Sequence, residues 1–224
     1  MEDGVVVLLD IWGSTYGMRI RIALAERGIK YECIEEENIL VKSPLLLKMN
    51  PVYKRVPVLI HNGKPICESL LILEYMDQVW KHKSPALLPS DAYQRGLARF
   101  WAAYVDAKIY EGSAKKVWMS GGEEQEKASK DFIDCLKVIE KELGEKLYFS
   151  GEEEMGFVDV ALIPLYCYFF PLEMFGKFSV ETECPKLMNW AKQCMKKESV
   201  SQSLARPQRI YEAMLDFRKT LQLA

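Results

Sequence analysis

Residues 5–11 form an apolar, β-branched run apart from Asp10, the pattern of a strand buried on both faces. It stops at Trp12-Gly13, and Ser14 then precedes a stretch whose apolar positions Met18, Ile22 and Ala25, flanked by Ile20 and Leu24, repeat at helical spacing. Ser14 is placed as the N-cap of that helix and Gly28 as its C-terminal stop. Residues 30–34 predict a second strand, and residues 44–49 a short helix with Ser43 as cap and Pro44 in its first position. Two short apolar runs, 56–60 and 64–67, are joined by His61-Asn62-Gly63, and an Asn-Gly pair there predicts an antiparallel hairpin. Ser69 is placed as the cap of a further helix running to about Trp80, with Leu70, Leu73 and Met76 three to four apart.

The order is βαβ followed by ββα, and a strand, crossover helix, strand unit is expected to be parallel and right-handed. The segment KSPALLPSD, with two prolines and two serines, breaks the pattern. Beyond it only helical periods remain, over 93–119, 123–143 after Gly121-Gly122, 157–170, 185–196 and 208–221. The 157–170 stretch is apolar apart from Asp159, which predicts a central helix buried all round. The domain reading is therefore 1–83 as a small α/β domain, 84–91 as linker and 92–224 as an all-helical domain.

Composition narrows the class. Of 224 residues 49% are hydrophobic and 28% charged, and 30 basic side chains against 32 acidic give a formal charge of -2. Such a chain buries a core and has no electrostatic bias toward nucleic acid or an anionic membrane. The first ten residues are acidic, then briefly apolar, unlike a secretion signal, and no run is read as reaching the roughly 18 apolar residues of a membrane helix. Cys33, Cys67, Cys135, Cys167, Cys184 and Cys194 form no CxxC pair and are read as reduced, mostly buried thiols. With only His61 and His82 as imidazoles, no metal is expected.

A βαβ-ββα domain with a proline at its third strand is thioredoxin-like in outline. In such a sheet the first helix N-terminus faces the turn before that proline, so a site is expected where Ser14 meets Val56-Pro57. Pro57 suits a strand entry, and Val56-Pro57 is expected to be cis. The Val56 peptide groups would then pair with an extended peptide by strand addition.

The segment WGSTYGMR, followed by ALAERGIKYE, NPVYKRVPVLIHNGKPICES, LLPSD, YQRGLARFWA, GFVDVAL and ECPKL, resembles plant tau-class glutathione S-transferases over nearly the whole chain. The resemblance implies a homodimeric cytosolic enzyme of detoxification and stress response. Such enzymes conjugate glutathione to hydrophobic electrophiles, with glutathione peroxidase activity in some members. Ser14 matches the family's catalytic serine, whose hydroxyl donates to the glutathione sulfur and is not itself a nucleophile. A free thiol titrating near ~8.5 must come down to ~7, about 2 kcal/mol. One hydrogen bond to a charged acceptor supplies ~1.5–3 kcal/mol and a helix N-terminus ~0.3–1 kcal/mol, so no general base is required. By the same resemblance Glu68 accepts from the γ-glutamyl ammonium, Ser69 and its helix N-terminus hold the γ-glutamyl carboxylate, and Lys42 pairs with the glycine carboxylate. Val56 and Pro57 contact the cysteinyl part, and Arg55 adds positive charge. The family commonly has prolines on both sides of its serine, where this chain has Gly13 and Thr15, which widens the backbone freedom of the turn.

The resemblance further implies an electrophile pocket between the domains, lined by Ile11, Trp12, Tyr16, Tyr110, Lys115, Trp118, Tyr168 and Phe217. The stretch YEGSAKKVW carries one residue more than the family pattern, with Gly112 in mid-helix, and predicts a local bulge. Asp159 matches a capping position with a folding role, its usual Ser/Thr partner being Gly156. A second reading, prompted by Gly13, is a non-catalytic, ligandin-like carrier of hydrophobic ligands with a glutathione-binding domain. A third, a purely structural partner module, predicts no glutathione retention.

Overall fold

The computed structural model describes residues 4–37, 41–83, 86–151 and 153–221. Residues 1–3 of the N-terminal reading, Ser84 and Pro85 of the expected linker, and Glu152 of one acidic cluster lie outside the described residues. The chain divides into two units, Met1–Leu88 and Pro89–Ala224.

In the first unit β1 (Val6–Asp10) pairs in parallel with β2 (Glu32–Glu35) and antiparallel with β3 (Val58–His61). β3 pairs antiparallel with β4 (Lys64–Cys67), giving the order β2-β1-β3-β4. Asn62 and Gly63 have φ of 50° and 77°, the two left-handed residues of the hairpin turn. Side chains alternate across the sheet. Leu9 joins Val58, Ile60 and Leu46 of α2 (Pro44–Met49) in one buried cluster, so Leu8 and Asp10 turn to the opposite face, toward α1 (Thr15–Glu26). There α1 packs against α3 (Ser69–Val79).

The predicted caps hold for α1 and α2: Ser14 Oγ accepts from the Gly17 amide and Ser43 Oγ from the Leu46 amide, each at 3.0 Å. A cap of this kind contributes about 1 kcal/mol. Ser69 is not a cap. It is the first residue of α3, and the capping position falls on Glu68, whose φ of 68° and ψ of 114° place it outside the helix without a side-chain cap bond. The C-terminal end of α3 is tied down by Asp77, which pairs with Arg27 and accepts from the amides of Leu87 at 3.0 Å and Leu88 at 2.9 Å.

Among the described residues of the second unit the regular structure is helical apart from an isolated bridge between Tyr148 and Gly151. The 93–119 period is not one α-helix. It comprises α4 (Ala92–Tyr104), a wider π-helical stretch Val105–Ala114, and α5 (Lys115–Met119). A local bulge is expected there from the sequence, and the wider turns take its place. A methyl added at Gly112 would lie 2.7 Å from the Ala107 carbonyl oxygen, so glycine is what lets the backbone close there. α6 (Gly122–Leu143) packs on the π stretch and on α5.

The central apolar segment is α7 (Phe157–Leu162), a three-ten turn Ile163–Leu165 and α8 (Tyr166–Gly176). Pro164 and Pro171 interrupt its backbone donors. Residues Phe157–Gly176 are long and apolar enough to cross a membrane by length and composition, which corrects the sequence reading; 72% of its apolar 18-residue window is buried within the fold, as in a core helix. Two single-turn helices, α9 (Val180–Glu183) and α11 (Glu198–Ser201), went unpredicted, while α10 (Pro185–Cys194) and α12 (Pro207–Thr220) match the expected periods. α12 packs on α8. Of the cysteines Cys167, Cys184 and Cys194 are buried, Cys67 and Cys135 are half-buried, and Cys33 is exposed.

Candidate functional site at one end of the sheet

Strand directions bring the expected residues of the first unit to one end of the sheet. β1 runs toward Ser14, β2 runs alongside it toward Glu36, β3 begins there after Pro57, and β4 ends there before Glu68. Leu9 lies opposite Val58, and Val58 opposite Cys67, so extending the register sets Val56-Pro57 beside residues 10–11 and 68–69. The Val56-Pro57 bond is cis, as expected from the sequence. Lys42 reaches the same end because Glu36, buried at the close of β2, accepts from the Ser43 amide at 3.1 Å and the Ser43 hydroxyl at 2.5 Å. Arg55 is exposed, and its carbonyl accepts from Asn50 Nδ2 at 2.9 Å.

At Ser14 the hydroxyl oxygen takes the Gly17 amide, a bond that uses a lone pair and not the hydroxyl proton. Thr15, the neighbouring hydroxyl, is buried. Arg19 is a functional candidate the sequence reading passed over. It is fully buried on α1, its Nη1 donates to Ser69 Oγ at 3.0 Å, and its guanidinium lies 5.0 Å over the Tyr16 ring. It thereby links the start of α1 to the start of α3. A signal existed: arginine stands among apolar residues in GMRIRIAL, and fully buried arginine is rare unless paired. Glu68, in a left-handed conformation that costs a non-glycine residue of order 1–3 kcal/mol, turns the chain sharply between β4 and α3. Unsatisfied amides at the start of α3 follow directly.

The remaining electrophile candidates divide between the units. Ile11, Trp12 and Tyr16 are half-buried in the first. In the second, Trp118 and Phe217 pack edge to face with centroids 5.9 Å apart, and Arg218 of α12 donates to the Trp118 carbonyl and, at 3.1 Å, to that of Ser120. Tyr110 is 8% exposed and its hydroxyl donates to the Leu162 carbonyl at 3.4 Å. Tyr168 is half-buried, with its phenol pushed upward by burial. Lys115 is exposed and pairs with Glu111 at 3.7 Å across one turn.

Asp159 sits apart from this chemistry. It is fully buried, and its Oδ2 accepts from the Gly156 amide at 2.9 Å. Its Oδ1 accepts from the Phe149 amide at 2.9 Å and from Trp190 Nε1 at 2.7 Å. Burial pushes its carboxyl upward, and these N–H donors pull the other way. Among the described residues no group of three or more His, Cys, Asp or Glu side chains could hold a metal ion.

Residues 4–78 match the family model described as "Glutathione S-transferase, N-terminal domain". The chain is 58% identical over 224 residues, the full length of both proteins, to the probable glutathione S-transferase parA of Nicotiana tabacum. It is 52% identical to glutathione S-transferase U19 of Arabidopsis thaliana over 214 residues, 96% of each chain. Rice GST1, solved in complex with glutathione, superposes with a TM-score of 0.92 at 41% identity, covering 98% of this chain and 99% of that one. The tau-class glutathione S-transferase of mango, Mangifera indica, superposes with a TM-score of 0.86 at 38% identity over the whole of both chains. Sequence and structure together show that this chain belongs to the glutathione S-transferases, within the plant tau class.

Proposed function

We propose that the protein binds glutathione at this end of the sheet and transfers its thiolate to hydrophobic electrophiles, with Ser14 as the activating residue. The observation that carries the reading is the Ser14 hydroxyl: its oxygen accepts from Gly17 at the start of α1, so its proton is available to donate toward sulfur. A negative sulfur beside Ser14 also lies at the positive end of α1. Val56 supplies peptide groups to the cysteinyl part beside Pro57. The first amides of α3 and the Ser69 hydroxyl, oriented by Arg19, hold the γ-glutamyl carboxylate, and Glu68 takes the ammonium. Lys42 pairs with the glycine carboxylate, with Arg55 adding positive charge.

Ile11, Trp12, Tyr16, Trp118, Tyr168 and Phe217 are proposed to receive the electrophile, with Tyr110 as a buried wall and Lys115 as an outer charge. The protein is further proposed to act as a cytosolic homodimer, and equilibrium sedimentation of the purified chain is expected to give twice the 25.8 kDa protomer mass.

Steady-state conjugation of an aryl halide tests the central claim. Ser14→Ala is expected to lower kcat by about tenfold to a hundredfold, the cost of a hydrogen bond to a charged acceptor of ~1.5–3 kcal/mol. The ultraviolet titration of bound glutathione should move up toward ~8.5 in the variant. Wild-type protein that binds glutathione without turnover would instead favour the carrier reading.

A further inference from the structure

We propose that Arg21 is a positioning residue for the Ser14 turn, itself held in place by the buried carboxylate of Asp10. This rests on the reading of Ser14 as the thiol activator. Between the end of β1 and the start of α1 the chain crosses through Ile11, Trp12 and Gly13. The Trp12 residue is gripped on both sides: its carbonyl accepts from Arg21 Nη2 at 3.0 Å, and its amide donates to Glu35 Oε1 at 3.2 Å. The Ser14 amide closes the turn onto the Ile11 carbonyl at 2.9 Å. This grip falls immediately before Gly13, where the sequence supplies no proline to stiffen the backbone. Side-chain hydrogen bonds take over that restraint.

Arg21 is oriented by its second nitrogen, Nη1, which lies 3.5 Å from Asp10 Oδ2. Asp10 is 1% exposed, and the donors turned toward its carboxylate are Arg21 and the Ile11 backbone amide. A buried carboxylate with so few donors weakens a fold. Its retention is explained by what it does to Arg21, because a guanidinium can fork between an anion and a carbonyl. The charged and titratable groups facing Asp10 are Arg21 from α1, Glu35 and Cys33 from β2, and Tyr31 just before it. Burial raises the Asp10 pKa to about 6, with Arg21 opposing and Glu35 adding to the rise. Since the folded value exceeds the unfolded one of 3.8, ionised Asp10 destabilises the fold above about pH 6, and the penalty disappears as pH falls. Anchoring and stability therefore run in opposite directions, which separates a positioning role from a structural one.

The test measures kcat, KM for glutathione, the titration of bound glutathione and Tm for wild type, Asp10→Asn, Arg21→Met, Arg21→Lys and Ser14→Ala. Arg21→Met is expected to lose on the order of tenfold to a hundredfold in kcat, with a higher thiol pKa and little change in KM. Arg21→Lys should recover only part of this, because one ammonium does not span Asp10 and the Trp12 carbonyl as a fork does. Asp10→Asn should lower kcat while leaving Tm at neutral pH equal to or above wild type. The wild-type to Asp10→Asn ratio of kcat should fall toward one as pH drops from about 8 to about 5, as the wild-type carboxyl takes its proton. Wild-type kcat and thiol titration in both Asp10→Asn and Arg21→Met, beside an impaired Ser14→Ala, would overturn the proposal. So would an Asp10→Asn protein whose Tm falls together with its activity. An unchanged thiol titration in Ser14→Ala overturns the Ser14 reading itself and is recognisable apart from either result.

Discussion

Replacing Asp159 with alanine is expected to destabilise the helical unit by about 3–5 kcal/mol, the range for removing one partner of a buried charged network. The carboxylate gathers three N–H groups from three separate segments: Gly156 ahead of α7, Phe149 in the preceding loop, and the Trp190 indole on α10. With the side chain gone all three donors are left in the interior, where each unsatisfied group costs about 1–3 kcal/mol. Losses of groups sharing one network are not additive, which holds the total below the simple sum. The Gly156 bond is half of a capping box. Glycine has no side chain to supply the other half, so Asp159 alone secures the start of α7. The measurement is the denaturant midpoint at constant m-value, followed through the tryptophan fluorescence that includes Trp190. Asp159→Asn keeps the shape and presents one oxygen and one amide nitrogen, so it should fall between wild type and alanine. A loss below about 1 kcal/mol in Asp159→Ala would show that the donors find water or other partners.

The same contrast between local and distant determinants explains what could be read from sequence. Strand β1, the capped helices α1 and α2, and the Asn62-Gly63 hairpin were legible because each depends on residues a few positions apart. The bulge after Tyr104 was legible from one extra residue and a glycine, although its spread over ten residues was not. Ser69 misled because a serine before an apolar period looks like a cap. The chain instead makes its turn at Glu68 with a positive φ, a conformation that no propensity assigns to glutamate. Arg19 and Asp10 were missed for a different reason. Their roles depend on partners elsewhere in the fold, Ser69 fifty positions away for Arg19 and the underside of α1 for Asp10. A charge within an apolar run signals a buried polar contact without naming its partner. The arrangement of Ser14, Val56-Pro57 and Glu68-Ser69 follows from strand direction once the hairpin is known, whereas the hold on Trp12 by Arg21 and Glu35 is visible only in three dimensions.

Gly17→Ala is expected to damage stability and activity together, and more than an alanine normally would in a helix. Alanine is the better helix former by about 1 kcal/mol, so propensity alone predicts stabilisation. Packing reverses the sign. A methyl carbon at position 17 would lie 1.8 Å from Asp10 Oδ1 and 2.3 Å from its carboxyl carbon, far inside contact distance. Asp10 is short and fully enclosed, so it cannot swing away as the end of a lysine would, and α1 must lift from the sheet. Overpacking of a tight interior costs about 1–3 kcal/mol, and displacement of a buried charge adds to it. Because the Gly17 amide is the donor to Ser14 Oγ, the movement also shifts the hydroxyl proposed to activate the thiol, and a misplacement of about 1 Å is enough for a hundredfold loss. A double-mutant cycle gives the decisive reading. Asp10→Ala vacates the space that the new methyl enters, so the double variant should be more stable than Gly17→Ala alone, with a coupling of about 1–3 kcal/mol. Additive free energies in that cycle, or a Gly17→Ala protein as stable as wild type, would mean that α1 accommodates the methyl without moving. The contact between Gly17 and Asp10 would then set neither the seating of the helix nor the position of Ser14.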